Sequence, residues 1–309
     1  MNNETPYVWD LRALRYFLAV AKHNSMTRAS VELGVSESAV SQRLKSLERS
    51  MRVKLYESPG GRIRITATGT RLLEMAVDLF DRIEGYRAEL GAEEAPGSLV
   101  VATQDPVVRY LLPDVARKFA AENPSIRLEF MTRTVDETLG VVRLGDADIG
   151  IISESPMPDS LVFHPMRAYQ AQFVAPKGHL LFAGGQPSIE DLLTPATIER
   201  FPLIAPEHGD STHARIREAL SRLDLPYNIA FEVGTTETVK HYVELGLGIA
   251  VISGVCITDE DANSLEMVEV PERYGGTSTY GYVLRREKHL TTSARSFLSA
   301  LQETVAAAA

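Results

Sequence analysis

Ser38, Ser41, Gln42 and Lys45 recur at i, i+3, i+4 and i+7, which gathers them on one face of a helix. Hydroxyl, amide and ammonium groups of this kind can hydrogen-bond base edges in a DNA groove. The row lacks the Glu and Lys mixture of an ordinary solvated helix face. Val40, Leu44 and Leu47 form the opposite, apolar stripe, and Ser36 is a good N-cap for the same helix. Glu37 follows the cap, and its carboxylate has two readings of equal weight. It favours the positive helix N-terminus, or it accepts from cytosine N4. Arg28, Arg43, Arg62 and Arg64 are the candidate phosphate contacts around this face.

A second set of residues suits a small polar ligand. Thr103, Gln104 and Asp105 end a strand candidate just before a helix, and Ser153 ends another. Ser211 with Thr212, and Thr235 with Thr236, stand before two later helices. Strand ends and helix N-termini in α/β domains offer free backbone N–H groups to a ligand, although serine and threonine occur there as plain N-caps too. Asp105 would repel a dianion and pair with an amine, so an amine-bearing or amino-acid-like metabolite is the preferred class. No catalytic constellation accompanies these groups. There is no Gly-x-Ser-x-Gly elbow and no phosphate loop, and Gly246-x-Gly248 precedes a strand instead of following one. His208, Asp210 and His213 share a glycine-containing loop without the spacing of metal motifs, so neither metal nor cofactor is expected. Cys256 is the only cysteine and excludes an internal disulfide.

These groups need elements to position them. Met26, Ala29 and Leu33 give a short helix that Gly34 ends, and the turn into Ser36 completes a helix-turn-helix. Taken alone, the pair also fits a plain αα-hairpin. The runs Leu55–Glu57 and Arg62–Thr66, joined by Ser58, Pro59, Gly60 and Gly61, predict a hairpin or wing, with Arg62 and Arg64 on one face and Ile63 and Ile65 on the other. Upstream, Leu11, Leu14, Phe17 and Ala21 predict a supporting helix. From Thr66 a long helix runs to about Leu90, in which Leu72, Ala76, Leu79, Ile83, Tyr86 and Leu90 form a heptad seam suited to a dimerising linker. Gly91 to Gly97 reads as a hinge.

Beyond Ser98, short apolar runs alternate with helices, which indicates parallel strands in an α/β domain. Strands are expected at Leu99–Thr103, Ile126–Thr132 and Ile149–Ile152, then at Gln172–Ala175, Leu203–Ala205, Ile229–Val233 and Ile249–Ser253. One helix is expected from Pro106 to Glu122 and another from Val135 to Leu144. The predicted organisation is a winged helix-turn-helix at 1–65, a linker helix and hinge at 66–97, and a two-lobed effector-binding domain at 98–309. Lobe I takes 98–168 and 257–309, and lobe II takes 169–256.

The net charge of −9 hides an asymmetry. Residues 1–65 hold 11 Lys plus Arg against 6 Asp plus Glu, a net of +5, and the remainder holds 21 against 35, a net of −14. The basic charge lies around the helix-turn-helix, and an acidic body leaves that domain as the surface for DNA. The absence of a long apolar run or an opening basic-then-apolar segment predicts a cytoplasmic protein.

Ser25-x-Thr27-x-Ala29, Ser36 followed by Ala39-Val40-Ser41 and Leu47-Glu48, and Leu55-Tyr56 followed by Thr66 to Gly69 together resemble the LysR-type transcriptional regulators, over nearly the whole chain. The resemblance implies a non-enzymatic regulator that binds an interrupted palindrome as a homodimer or homotetramer. It also implies a two-lobed, periplasmic-binding-protein-like domain that senses a small molecule, with RNA polymerase as a further partner. Two positions depart from the family pattern. Glu37-Ser38 stands where Gln-Pro is usual, and Met51-Arg52 stands where Leu-Gly is usual. The alternatives are a ligand-independent architectural DNA binder and a substrate-binding or catalytic α/β protein with a DNA-binding tail.

Overall fold

The computed structural model describes residues 10–59, 63–89, 97–206, 211–225, 229–286 and 288–307. The chain divides into two compact units. One holds the segment up to Ala95 with Val141–Asp146 and Arg285–Thr291, and the other holds Pro96–Gly140, Ala147–Leu284 and Thr292–Ala309.

The first unit opens with α1 (Leu11–His23), α2 (Met26–Leu33) and α3 (Glu37–Met51), each started by its own side-chain cap. Asp10, Ser25 and Ser36 accept the backbone N–H groups of Arg12, Arg28 and Ala39. Gly34 ends α2 in the left-handed region at φ 67°, as the turn requires. Arg52 ends α3 in the same region at φ 55°, a conformation that is more costly for a residue with a Cβ. The wing is β1 (Tyr56–Glu57) paired antiparallel with β2 (Arg64–Ile65), and α4 (Ala67–Glu89) follows.

Leu14, Phe17, Val20, Ala29, Val40, Leu44 and Leu55 form one apolar core, and Leu72, Leu73 and Ala76 of α4 belong to it. That corrects the seam expected on α4. Its first members, Leu72 and Ala76, are covered by their own domain, because helical spacing of three and four also satisfies a helix lying against α1. Leu79 is partly buried against the same core, whereas Tyr86 is 67% exposed. Leu90 and most of the expected hinge lie outside the described residues.

In the second unit, β3 (Ser98–Thr103) leads to a π turn (Val107–Leu111), α5 (Pro113–Glu122), β4 (Arg127–Thr132), α6 (Val135–Leu144), β5 (Ile149–Ser153), β6 (Leu161–Gln170) and β7 (Gln172–Pro176). There follow α7 (Ile189–Leu192), α8 (Pro195–Arg200), β8 (Leu203–Pro206), α9 (Ser211–Arg222), β9 (Ile229–Val233), α10 (Thr236–Glu244) and β10 (Ala250–Ile252). The series ends with β11 (Leu265–Glu269), β12 (Thr277–Arg285) and α11 (Thr292–Ala307). The helix expected from Pro106 to Glu122 is thus split: α5 restarts with Pro113 at its first position, where a missing N–H costs nothing.

The first lobe is a five-stranded sheet in the order β4-β3-β5-β12-β6, with β3 parallel to both β4 and β5. The second lobe holds β10-β7-β11 and the parallel pair β8-β9. Two expectations change here. β6 had no strand signal, because Leu161–Gln170 contains His164, Pro165 and Arg167 and lacks clean alternation; it lies at the sheet edge, where proline is tolerated. The return to the first lobe does not come at residue 257, since β11 pairs antiparallel with β7 from Leu265↔Pro176 to Glu269↔Gln172. The sequence of a strand carries no label for the sheet it joins, and pairing with β7 decided it. The two crossings meet instead at 170–171 and 270–277: Ala171 donates its N–H to Gly276, and Val270 donates to Ala171. The Gln170 amide bridges them further, donating to the Val270 carbonyl and accepting from the Thr277 hydroxyl.

Candidate DNA-reading face and effector cleft

On α3 the polar row stands clear of the core. Ser38, Gln42 and Lys45 are exposed and Ser41 is half-buried, while Val40, Leu44 and Leu47 are buried. Ser36 is the N-cap, and its hydroxyl lies 3.0 Å from that of Ser38. Glu37 is exposed at the first turn, and Thr27 of α2 donates its hydroxyl to Oε2 at 2.8 Å. This bond aims the carboxylate as well as placing it near the helix N-terminus. Arg28 is exposed. Arg43 is exposed but engaged, because its Nη1 donates to Asp10 at 2.9 Å. Arg64 projects from β2 while Ile63 and Ile65 pack on the core, and Arg62 lies outside the described residues.

Sequence reasoning passed over a basic group at the far end of α3. Arg49, Arg52 and Lys54 join Gln42 and Lys45 around a depression that Glu48 and Val53 also line. The signal was present in the run of Lys and Arg from 45 to 54: Arg49 continues the stripe of Gln42 and Lys45 by one turn, while Arg52 and Lys54 lie past the end of the helix. Glu48, one half of the Leu47-Glu48 motif, has a structural role that its sequence does not state. It is 6% exposed, and its carboxylate accepts the Leu55 backbone N–H at 2.8 Å and lies 3.3 Å from the Lys54 ammonium, fixing the turn into the wing.

In the second unit, the expected ligand groups fall at strand ends but differ in availability. Thr103 is fully buried and donates its hydroxyl to the Ile151 carbonyl at 2.6 Å, so only its lone pairs remain. Ser153 is fully buried too, at the position where β5 pairs with Tyr280 of β12. Gln104 is half-buried, and its Oε1 is buried without a hydrogen-bond partner among the described residues. Asp105 is exposed. Thr212 is buried, 3.3 Å from the Ser278 hydroxyl, which also receives Arg215. Ser211 opens α9. Thr235 is the N-cap of α10 and accepts the Thr238 N–H, while Thr236 is buried. The Ser253 and Tyr280 hydroxyls, 3.3 Å apart, join the end of β10 to β12. The structure therefore brings Thr103, Gln104 and Ser153 to one edge of the first-lobe sheet, and makes Thr235 a helix cap. Tyr110, on the π turn behind Gln104, was not foreseen; its hydroxyl is likewise buried and unpartnered among the described residues.

His208 and Asp210 of the metal candidate lie outside the described residues, and no cluster of metal-binding side chains occurs among the described ones. No described helix is long and apolar enough to cross a membrane.

A winged helix-turn-helix followed by a two-lobed α/β domain defines a DNA-binding regulator with an effector domain. Residues 11–70 match the family model of bacterial regulatory helix-turn-helix proteins of the lysR family, and residues 92–306 match that of the LysR substrate binding domain. The chain belongs to the LysR family of transcriptional regulators, a family of non-enzymes whose members bind DNA and small-molecule effectors and usually oligomerise. It is 30% identical over 292 residues to the uncharacterized HTH-type transcriptional regulator YeiE of Escherichia coli K12, covering 93% of this chain and 95% of that one. It is also 30% identical over 239 residues to the regulator cbl of Klebsiella aerogenes, covering 76% and 74%. Among solved structures, a cysteine variant of full-length OxyR from Pseudomonas aeruginosa superimposes with a TM-score of 0.77 at 18% identity, covering 97% of this chain and 95% of that one.

Proposed function

We propose that this regulator binds an interrupted palindromic operator as a homo-oligomer, responds to a small polar effector held between its two lobes, and acts through RNA polymerase. The observation that supports operator reading is the exposed row of Ser38, Gln42 and Lys45 on a capped helix, with the Arg64 wing beside it. Two such modules on an oligomer fit two half-sites. The residues assigned to DNA are Arg28, Ser36, Glu37, Ser38, Ser41, Gln42, Arg43, Lys45, Arg62 and Arg64.

The effector reading is supported by the unpartnered Gln104 Oε1 at the C-terminal end of β3, since a buried acceptor without a donor costs roughly 1–3 kcal/mol unless something supplies one. With the exposed Asp105 carboxylate next to it, the site favours a ligand that donates, which keeps an amine-bearing or amino-acid-like metabolite as the preferred class. Thr103, Ser153, Ser211, Thr212, Thr235 and Thr236 complete the proposed set.

The test is a thermal-shift screen of amino acids, polyamines and dicarboxylates on the full chain and on Asp105→Asn. A ligand at 100 times its Kd adds about 2.7 kcal/mol to stability. Amines should stabilise the wild type and lose affinity in Asp105→Asn. If dicarboxylates alone bind, the amine preference is wrong; if no metabolite binds, the ligand-independent alternative gains.

A further inference from the structure

Lys240 of α10 is 6% exposed, and a buried ammonium must be neutralised where it stands. Its Nζ donates to Asp261 Oδ1 at 3.0 Å and to the Cys256 carbonyl at 3.0 Å, and it lies 2.9 Å from Glu237 Oε1. All three partners belong to the second lobe. Two carboxylates against one ammonium leave that lobe with a surplus negative charge at this spot, and the first lobe supplies what balances it. Arg109 Nη2 lies 3.5 Å from Glu237 Oε2, and the Tyr110 ring centroid lies 5.0 Å from Lys240 Nζ. The cluster is electrically neutral only with Arg109 in place, and the ring face adds an attraction that strengthens when the cation is desolvated. Arg109 and Tyr110 are neighbours on the π turn that directly follows Gln104 and Asp105. π turns of this kind recur at functional sites.

We infer that Lys240 is a positioning residue for the interlobe cleft: through Tyr110 and the Glu237–Arg109 pair it fixes the π turn against the second lobe and so sets where Gln104 and Asp105 stand. The assignment rests on the effector reading only in calling that cleft the ligand site. A lysine serving its own lobe alone would need Asp261 and the Cys256 carbonyl but neither Tyr110 nor Arg109.

Hydrogen exchange on the full chain, without added ligand, separates the two roles. In Lys240→Met, amide exchange should quicken about tenfold in residues 104–112 of the first lobe as well as in 254–263 of the second, the effect of losing about 1.4 kcal/mol. Helices α5 and α11 should be unchanged, and Lys240→Arg, which keeps the charge, should return 104–112 towards native protection. Tyr110→Leu is the reciprocal variant and should quicken 254–263 across the cleft. It also carries the test if Lys240→Met does not fold. Unchanged protection of 104–112 in Lys240→Met, or of 254–263 in Tyr110→Leu, overturns the inference. Because no effector is added, a metabolite screen that finds no ligand would remove the effector reading and leave this result standing.

Discussion

Glu48 Oε1 accepts the backbone N–H of Leu55 at 2.8 Å, tying the last turn of α3 to the residue that enters the wing. The carboxylate is buried, so the bond is charge-assisted and shielded from water. Its charge also acts on Tyr56, whose phenol is pushed above its ordinary value first by burial and then by Glu48. Glu48→Ala should destabilise the helix-turn-helix unit by about 2–3 kcal/mol, and Glu48→Gln, which keeps an acceptor, by clearly less. Denaturant unfolding followed by a probe on this unit measures both, and equal losses would show that the hydrogen bond is not the cause.

Glu37 is held by Thr27, which makes its carboxylate an aimed acceptor. In selection from random duplexes, the wild type should prefer cytosine at one position per half-site, and Glu37→Gln should move that preference to adenine with a discrimination of about 1–3 kcal/mol. Thr27→Val should blunt the preference while keeping most of the affinity. An unchanged base profile in both variants leaves Glu37 as a residue that only favours the helix N-terminus.

Tyr86 is the better handle on self-association, because Leu72 and Ala76 are already committed to the domain core. Tyr86→Glu should weaken the oligomer without unfolding the chain, since a 67% exposed residue has little to lose in the monomer. Light scattering across a dilution series reads the outcome. A wild-type mass at every concentration would place the interface elsewhere.

Gly276 admits no side chain, because a Cβ there would collide with the Val270 carbonyl oxygen at the paired crossings. Gly276→Ala should cost about 3 kcal/mol or more in the effector unit, by forcing backbone apart where Ala171 and Gly276 are hydrogen-bonded. Differential scanning calorimetry should show a lowered transition for that unit with the helix-turn-helix transition unmoved.

Glu32 accepts from His23 Nε2 at 2.5 Å and lies 3.4 Å from Lys22. Partial burial alone would raise its carboxyl, but the His23 hydrogen bond and the Lys22 charge outweigh it and hold the group below its ordinary value of 4.5. A depressed carboxyl contributes stability that is present above the unfolded value and fades as pH falls through the folded one. The melting difference between wild type and Glu32→Gln should therefore exist at neutral pH and close as the pH drops below about 4.5. A difference that persists at lower pH would assign the effect to packing.

Local chemistry was legible in the sequence wherever it is local. Ser36 caps a helix within three residues of itself, Gly34 ends one, and the row from Ser38 to Lys45 shares a face by helical geometry alone. The α/β alternation followed from the same short-range periodicity, and the periplasmic-binding-protein-like architecture was implied by the family resemblance. What tertiary structure decided is every pairing between residues distant in sequence. The apolar seam of α4 reads the same whether Leu72 and Ala76 meet a partner helix or α1, and β11 reads the same in either lobe until β7 takes it. Thr103 reads as a ligand group from its place at a strand end, and only folding shows that its hydroxyl also donates to the Ile151 carbonyl, 48 positions away. Helical spacing alone sets Glu237 three residues before Lys240, but only folding brings Asp261 and the Tyr110 ring to it, because burial makes an ammonium depend on groups distant in sequence.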